Sequence, residues 1–89
     1  PVDGLDLLGD YVRSVHAKDA TYPSSGYTAG EEMVMGEGQV DMKAVVEKLR
    51  AHGFDRVMSI EHERKGISAE QKEQEIMHAK HYLEALVCA

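Results

Sequence analysis

The sequence predicts an α/β fold built from two consecutive strand-helix units. Segments rich in β-branched and apolar residues at positions 11–17 and 56–62 are each followed by a helical pattern, and strands that alternate with helices form parallel pairs. The chain has 89 residues, of which 43% are hydrophobic and 29% charged, a composition typical of one globular domain or less. The sequence therefore predicts a parallel strand pair within a single small unit.

The first unit begins with the end of a helix and continues into a strand. A leucine-rich stretch at 3–8 precedes Gly9, a residue that can take the left-handed conformation in which many helices stop. The strand predicted at 11–17 follows, and successive strand residues point to opposite faces. One face would carry Val12, Ser14 and His16, and the other Arg13, Val15 and Ala17.

The two later helices have recognisable caps. Asp41 is a favourable N-cap, and Gly53 can end the same helix. Ser68 and Gln71 have the spacing of a capping box for the last helix. Apolar residues recur at helical spacing in both helices, namely Met42, Val45, Val46 and Leu49 in the first, and Ile76, Ala79, Leu83 and Leu86 or Val87 in the second.

Residues 19–39 are expected to form one long loop. They contain Pro23 and several glycines without a sustained helical or strand period. Unstructured connections of this length usually serve as lids or binding loops, so the length of this segment hints at function. The Gly-Glu-Gly motif at 36–38 precedes a helix and could suggest a phosphate cradle, but Glu37 would repel the anion. The motif is therefore a weak signal.

Charge and cysteine content narrow the functional classes. The net charge is −6, which disfavours nucleic-acid binding because that binding depends on Lys and Arg neutralising phosphates. The apolar runs are far shorter than the roughly 20 residues that span a bilayer. The lone Cys88 cannot form an internal disulfide, which suits a reducing compartment. We therefore expect a cytoplasmic protein without a nucleic-acid or membrane partner.

A titratable residue ends the predicted strand in each unit. His16 and Glu61 each share a strand face with a serine two residues earlier. Because the carboxyl ends of parallel strands line the ligand sites of α/β folds, an imidazole and a carboxylate would converge there, and such a pair suits a divalent metal. The alternative is that His16 is only a hydrogen-bonded strand-end residue and Glu61 a solvated one. Glu63 lies two residues after Glu61 and would therefore point to the same face, so it is a further candidate for a carboxylate at this site.

The remaining histidines are expected to be structural. His62 should point outward toward the helix layer or a loop, since it follows Glu61 in the strand. His52 lies at the end of a helix, where a cationic imidazole suits the helix dipole. His78 and His81 are three residues apart on the last helix but lack the acidic partner of the zinc-binding HExxH motif, so we expect them on the surface.

Four short motifs occur in an order and spacing that together are fairly specific: His16-Ala17-Lys18-Asp19, Gly36-Glu37-Gly38-Gln39-Val40-Asp41, Gly53-Phe54-Asp55 and Ser59-Ile60-Glu61-His62-Glu63. From about residue 3 to residue 86, the chain resembles the C-terminal part of the sugar phosphate isomerase/epimerase family, the xylose-isomerase-like TIM barrels. The resemblance implies that the first strand is the seventh of a (β/α)8 barrel and the second strand the eighth. Two strands of the eight do not make a complete barrel, which needs about 250 residues.

The resemblance also implies a metal-dependent reaction. One divalent metal is expected, most often manganese, with magnesium, cobalt or zinc as alternatives. By resemblance His16 and Glu61 are two of its ligands, and Glu61 can also move a proton. The implied substrate is a small sugar or sugar phosphate, isomerised or epimerised by proton transfer next to a metal-bound carbonyl. Lys18, Asp19 and Glu63 would bind the substrate or orient the site. A keto-polyol dehydratase or a hydroxypyruvate-type isomerase would use the same ligands.

The match to the family pattern has gaps. The strands that carry the other carboxylate ligands are not among these 89 residues, and no histidine occurs between positions 17 and 51, where the related apurinic endonucleases have several. We therefore expect residues 1–89 to be the C-terminal fragment of one TIM-barrel domain, inactive alone. Its open strand edges would need the rest of the barrel or further copies of the chain. A non-catalytic module that self-associates through those edges is the competing interpretation.

Overall fold

The computed structural model describes residues 1–23 and 30–89. Over these residues the chain alternates short strands with three helices and one 3₁₀ turn. The helices are α1 (Val2–Leu8), α2 (Met42–Ala51) and α3 (Ala69–Val87), the 3₁₀ turn is Gly9–Tyr11, and the strands are β1 (Val15–Ala17), β2 (Asp19–Ala20), β3 (Glu32–Met33) and β4 (Met58–Ile60).

The predicted parallel pair is present. Strands β1 and β4 pair in parallel, with Val15 opposite Met58, His16 opposite Ser59 and Ala17 opposite Ile60. Ala17 is buried under the helices, whereas His16 and Ser59 are exposed on the opposite face. The pair therefore has one face packed against helices and one face that is open within the described residues.

The predicted N-cap residues are confirmed, but the predicted capping box of α3 is found only in its Ser68 half, since the Gln71 side chain bonds Glu75. The Asp41 carboxylate accepts a hydrogen bond from the Ala44 N–H at 3.0 Å, and Ser68 Oγ accepts one from the Gln71 N–H at 3.0 Å. Each side chain satisfies a backbone donor that has no partner inside its helix. Gly53, just beyond α2, has a φ of +73°, the left-handed conformation that glycine adopts without steric cost.

The strands are shorter than predicted. Residues 9–11 form a 3₁₀ turn that extends α1, and Gly9 has a φ of −53° rather than a left-handed conformation. Strand β1 therefore begins only at Val15, and β4 covers Met58–Ile60 instead of 56–62. β-branched residues such as Val12 and Val57 favour extended structure, but a strand forms only where a partner backbone lies alongside.

The segment predicted as one long loop contains regular structure. Strands β2 and β3 pair antiparallel, with Asp19 opposite Met33 and Ala20 opposite Glu32. We call these two strands the hairpin. Residues 24–29 of the predicted loop lie outside the described residues. The two-residue strands offer too few positions to show a strand period in the sequence.

The core lies between the helices and the covered face of the parallel pair. Its buried members are apolar and come from β1, the segment after the hairpin, α2 and α3, namely Ala17, Met35, Met42, Ala79 and Leu83. This burial matches the apolar positions predicted on the two later helices. Across residues 1–23 and 30–89, no helix is both long and apolar enough to cross a membrane.

Candidate functional site

His16 and Glu61 meet at the carboxyl edge of the parallel pair. Strand β1 places His16 on the open face, and the ladder continues past β4 because the Glu61 N–H donates to the Ala17 carbonyl at 2.9 Å. That bond holds Glu61 beside the end of β1. His16 Nδ1 then lies 3.5 Å from Glu61 Oε2. The structure therefore brings together the two residues that the sequence predicts as metal ligands.

The distance between these two atoms is compatible with a shared metal ion. Two donors that bind one ion at about 2.1 Å lie roughly 3.0 Å apart at a right angle and roughly 3.4 Å apart at a tetrahedral angle, against 3.5 Å here. The His16 side chain is 66% exposed and that of Glu61 34%, so both donors are accessible. Among the described residues, no group of three or more metal-ligating side chains occurs. The pair could thus supply part of a ligand set.

Lys18 connects the carboxylates at this edge. It follows β1 on the face of His16, and its Nζ lies 3.2 Å from Glu61 Oε1 and 2.8 Å from Glu63 Oε1. Glu32 Oε1, from the hairpin, lies 3.7 Å from the same Nζ. Hydrogen bonds to Glu63 and Glu61 raise the pKa of Lys18 above its ordinary value. Lys18 is therefore a cation held among three carboxylates.

Glu63 joins this cluster although it lies beyond the strand. Hydrogen bonding with Glu61 and with the Lys18 ammonium lowers the pKa of Glu63 to about 2. Its side chain is 63% exposed, so this part of the cluster faces solvent. Three carboxylates therefore surround one ammonium group at this edge.

Asp19 is buried beneath this edge rather than exposed in it. The residue is 1% exposed, and its two carboxylate oxygens accept backbone N–H groups from Ala20, Gly36 and Gly38 at 2.9 Å each and from Val40 at 3.2 Å. The Gly-Glu-Gly motif thus surrounds a carboxylate of the chain itself, which explains why its N–H groups are not available to a phosphate. Asp19 fixes the segment that leads into α2.

Glu32 is a residue of the site that the sequence reasoning missed. Its two oxygens each accept the Glu63 N–H at 3.0 Å, and its side chain is 14% exposed. Glu32 lies within the segment predicted as a loop without periodicity, so the pattern gave no face or direction for it. Only the pairing of β2 with β3 places it against the carboxyl edge.

His62 points to the helix layer, as predicted. Its Nε2 lies 2.8 Å from Glu75 Oε1 on α3, and Arg64 Nη1 and Gln71 Nε2 reach Glu75 Oε2 at 2.5 and 2.9 Å. Hydrogen bonds from Gln71, Arg64 and His62 lower the pKa of Glu75 to about 2. Because an ionised carboxylate only accepts, Nε2 of His62 carries a hydrogen. The sequence did not predict that Glu75 is buried. It is a charged residue of α3, yet it packs inside the protein.

The other histidines lie away from the carboxyl edge. His52 caps α2 and its Nδ1 lies 2.7 Å from Asp10 Oδ1, a pairing that suits the helix end where it was predicted. His78 and His81 are exposed on α3, as expected. His78 also makes a contact that was not predicted, with Nε2 2.9 Å from the Met35 carbonyl oxygen. These residues have structural partners or face solvent.

The imidazole and the carboxylate lie at the carboxyl ends of two parallel strands, the position at which α/β proteins bind their ligands. The chain belongs to the xylose isomerase-like TIM barrel family, whose family model matches residues 3–86. It is also similar to the uncharacterized protein MJ1311 of Methanocaldococcus jannaschii, with 39% identity over 83 residues. The aligned part covers 93% of this chain and 25% of that relative, so the chain spans about a quarter of its length.

Proposed function

We propose that this chain forms part of a divalent-metal-dependent isomerase or epimerase that acts on a small sugar or sugar phosphate. The observation that carries the proposal is the 3.5 Å separation of His16 Nδ1 and Glu61 Oε2 at the carboxyl edge of two parallel strands. Membership of the xylose isomerase-like TIM barrel family supports the same reading, because catalytic groups of such barrels come from these strand ends.

In this proposal His16 and Glu61 hold the metal, and Glu61 also takes part in the proton transfer. Manganese is the preferred ion, since imidazole and carboxylate donors suit it, with magnesium, cobalt or zinc as alternatives. When bound, the ion polarises a carbonyl and thereby acidifies the neighbouring C–H bond. In an isomerisation Glu61 would accept the proton from one carbon and return it to the neighbouring carbon, whereas an epimerisation would need a second acid/base group on the opposite face of the substrate, supplied from outside residues 1–89.

Lys18 and Glu63 lie beside the proposed metal ligands and would help to orient them. The Lys18 ammonium contacts Glu61 and Glu63, so it would fix the orientation of these two carboxylates and keep its third N–H for a substrate hydroxyl or phosphate. Asp19 would orient the site indirectly, since its oxygens accept backbone N–H groups of the hairpin and of residues 36–40, which we call the glycine segment.

The site requires further ligands from outside this chain. We propose that β1 and β4 correspond to the seventh and eighth strands of a (β/α)8 barrel, that residues 1–89 form its C-terminal part, and that earlier strands provide the remaining carboxylates. Two features support the presence of further strands. One face of β1 and β4 is exposed, and an apolar cavity of about 360 Å³ beside α1, α2 and β1 leaves room for more of the barrel. Cytoplasmic activity on a soluble sugar is part of the same proposal.

A family-related reaction would use the same residues. A keto-polyol dehydratase or a hydroxypyruvate-type isomerase also needs a metal-bound carbonyl and an adjacent base, so His16 and Glu61 alone do not choose among these substrates. The discriminating feature is the fate of the substrate hydroxyl next to the acidified carbon. A dehydratase loses it as water, whereas an isomerase or epimerase retains it.

The test uses the full-length protein, meaning the product of the complete reading frame. After chelation and reloading with Mn²⁺, it is incubated in D₂O with a panel of small ketoses, aldoses and their phosphates, and products are identified by NMR. We expect metal-dependent deuterium incorporation next to the carbonyl of one substrate, lost in Glu61→Gln. Turnover that persists without any divalent metal, or that is unchanged in Glu61→Gln, would contradict the proposal.

The competing function is a non-catalytic module that self-associates. Several large apolar side chains are exposed on the described surface, among them Leu7 at 81% and Tyr11 at 76%. Burying these side chains against another chain, or against the rest of the same barrel, would be favourable. Isolated apolar residues are common on surfaces, but here they accompany two strand edges without a neighbour in the described residues. A folded monomer of the 89-residue chain at high dilution would rule out this alternative.

A further inference from the structure

The hairpin carries one carboxylate to the edge where His16 and Glu61 meet. Glu32 on β3 accepts the Glu63 N–H with both oxygens at 3.0 Å, and its Oε1 lies 3.7 Å from Lys18 Nζ. The side chain is only 14% exposed, so these contacts are made in a partly dehydrated environment, where hydrogen bonds to a charged group are strong.

The position of Glu32 is itself fixed by the fold. Strand β3 pairs with β2, and β2 begins at Asp19, whose buried carboxylate accepts the N–H groups of Gly36 and Gly38 in the segment that follows β3. The hairpin is thus anchored at both of its described ends. A carboxylate held on such a support can fix a neighbouring main chain rather than follow it.

The geometry points to Glu32 as a positioning residue for the metal-ligand pair, an inference that rests on the proposed function. Glu61 lies just after the last residue of β4. Its main chain is held from one side by the Glu61 N–H to the Ala17 carbonyl. Glu32 supplies the second support, two residues later, and also restrains the ammonium that contacts Glu61. Without it, the Glu61 carboxylate is free to turn away from His16.

The adjacent residue Glu31 provides a matched control. It carries the same side chain in the same segment but is exposed, and its backbone, rather than its carboxylate, bonds to Thr21. Replacing either glutamate removes one negative charge from the same region. A difference between the two variants therefore reports the contacts of Glu32 and not the change in net charge.

The conservative variant separates the two contacts of Glu32. Glu32→Gln keeps an amide oxygen that can accept the Glu63 N–H but removes the charge opposite Lys18, whereas Glu32→Ala removes both. In the full-length protein we expect Glu32→Ala to weaken Mn²⁺ binding about 10-fold or more, the usual effect of losing a residue that orients a ligand. Glu32→Gln should lose much less, and Glu31→Ala should bind Mn²⁺ like the unaltered protein.

Amide hydrogen exchange gives a second readout that needs no metal. The Glu63 N–H should exchange faster in Glu32→Ala and stay protected in Glu32→Gln and Glu31→Ala. Equal Mn²⁺ affinity in Glu32→Ala and Glu31→Ala, equal losses in Glu32→Gln and Glu32→Ala, or unchanged Glu63 exchange in Glu32→Ala would each overturn the inference. If the unaltered protein binds no Mn²⁺, the proposed function fails, while the exchange data still decide whether Glu32 holds this segment.

Discussion

Replacing Asp19 by Asn tests how the hairpin and the glycine segment are held. One carboxylate oxygen, Oδ2, accepts the N–H groups of Gly36 and Gly38, and the other, Oδ1, accepts those of Ala20 and Val40. An amide keeps one acceptor oxygen but turns the other into an NH₂ donor. Two backbone donors in a buried place would then face a donor.

The expected cost follows from these two donors. Leaving a buried donor without an acceptor costs roughly 1–3 kcal/mol, and hydrogen bonds to a charged acceptor are stronger than neutral ones. Summed over the two donors, we therefore expect Asp19→Asn to lower the free energy of unfolding by about 2–6 kcal/mol. That is a large share of the roughly 5–15 kcal/mol that stabilises a typical domain.

The assay is denaturant unfolding of the full-length protein followed by circular dichroism, together with amide exchange at Gly36 and Gly38. Asp41→Asn is the matched control, because Asp41 also accepts a backbone N–H but is exposed, and Asn is as good an N-cap as Asp. It should cost under about 0.5 kcal/mol. A loss below about 1 kcal/mol in Asp19→Asn, or unchanged exchange at the two glycines, would refute the reasoning.

Three further predictions concern stability, packing and assembly. The folded-state pKa of Glu75 is about 2 against an ordinary 4.5, so the ionised carboxylate contributes about 3 kcal/mol to stability. This contribution is present above pH 4.5 and is lost as the pH falls toward 2. Glu75→Gln should remove this part of the acid dependence of unfolding. Gly38→Ala should destabilise more than Gly4→Ala in the same assay, because its methyl group would meet Asp19 and the Ala20 carbonyl, whereas Gly4 lies in α1 with open space around it and without a left-handed backbone. The 89-residue chain alone should form oligomers in size-exclusion chromatography with light scattering and should bind Mn²⁺ only weakly; a folded monomer, or tight Mn²⁺ binding that His16→Ala abolishes, would contradict this.

The parallel pair and the helix caps could be predicted because their signals are local. Asp41, Ser68 and Gly53 act on backbone groups within a few residues, so their chemistry can be read from short windows of sequence. The proximity of His16 and Glu61 followed from topology, since parallel strands end at the same edge. The parallel arrangement of the strands was therefore enough to predict that His16 and Glu61, which are far apart in the sequence, lie close together.

The hairpin and the buried carboxylates could not be predicted in this way. Asp19 is bonded to residues up to 21 positions away, and Glu32 to a residue 31 positions away, through strands too short to show a period. Glu75 lies among polar residues of α3 and is buried because Arg64 and His62 arrive from another segment. Such residues become visible only when the segments that supply their partners are placed in space.

The most direct test of the metal site is a calorimetric Mn²⁺ titration of the full-length protein with His16→Ala, Glu61→Gln and the double variant, and with His81→Ala as an exposed histidine control. If the two side chains bind one ion, each single change should weaken binding at least about 10-fold, the double variant should be much less than additive, and His81→Ala should bind normally. Unaltered affinity in His16→Ala and Glu61→Gln, or losses that simply add, would show that the two residues do not share a metal.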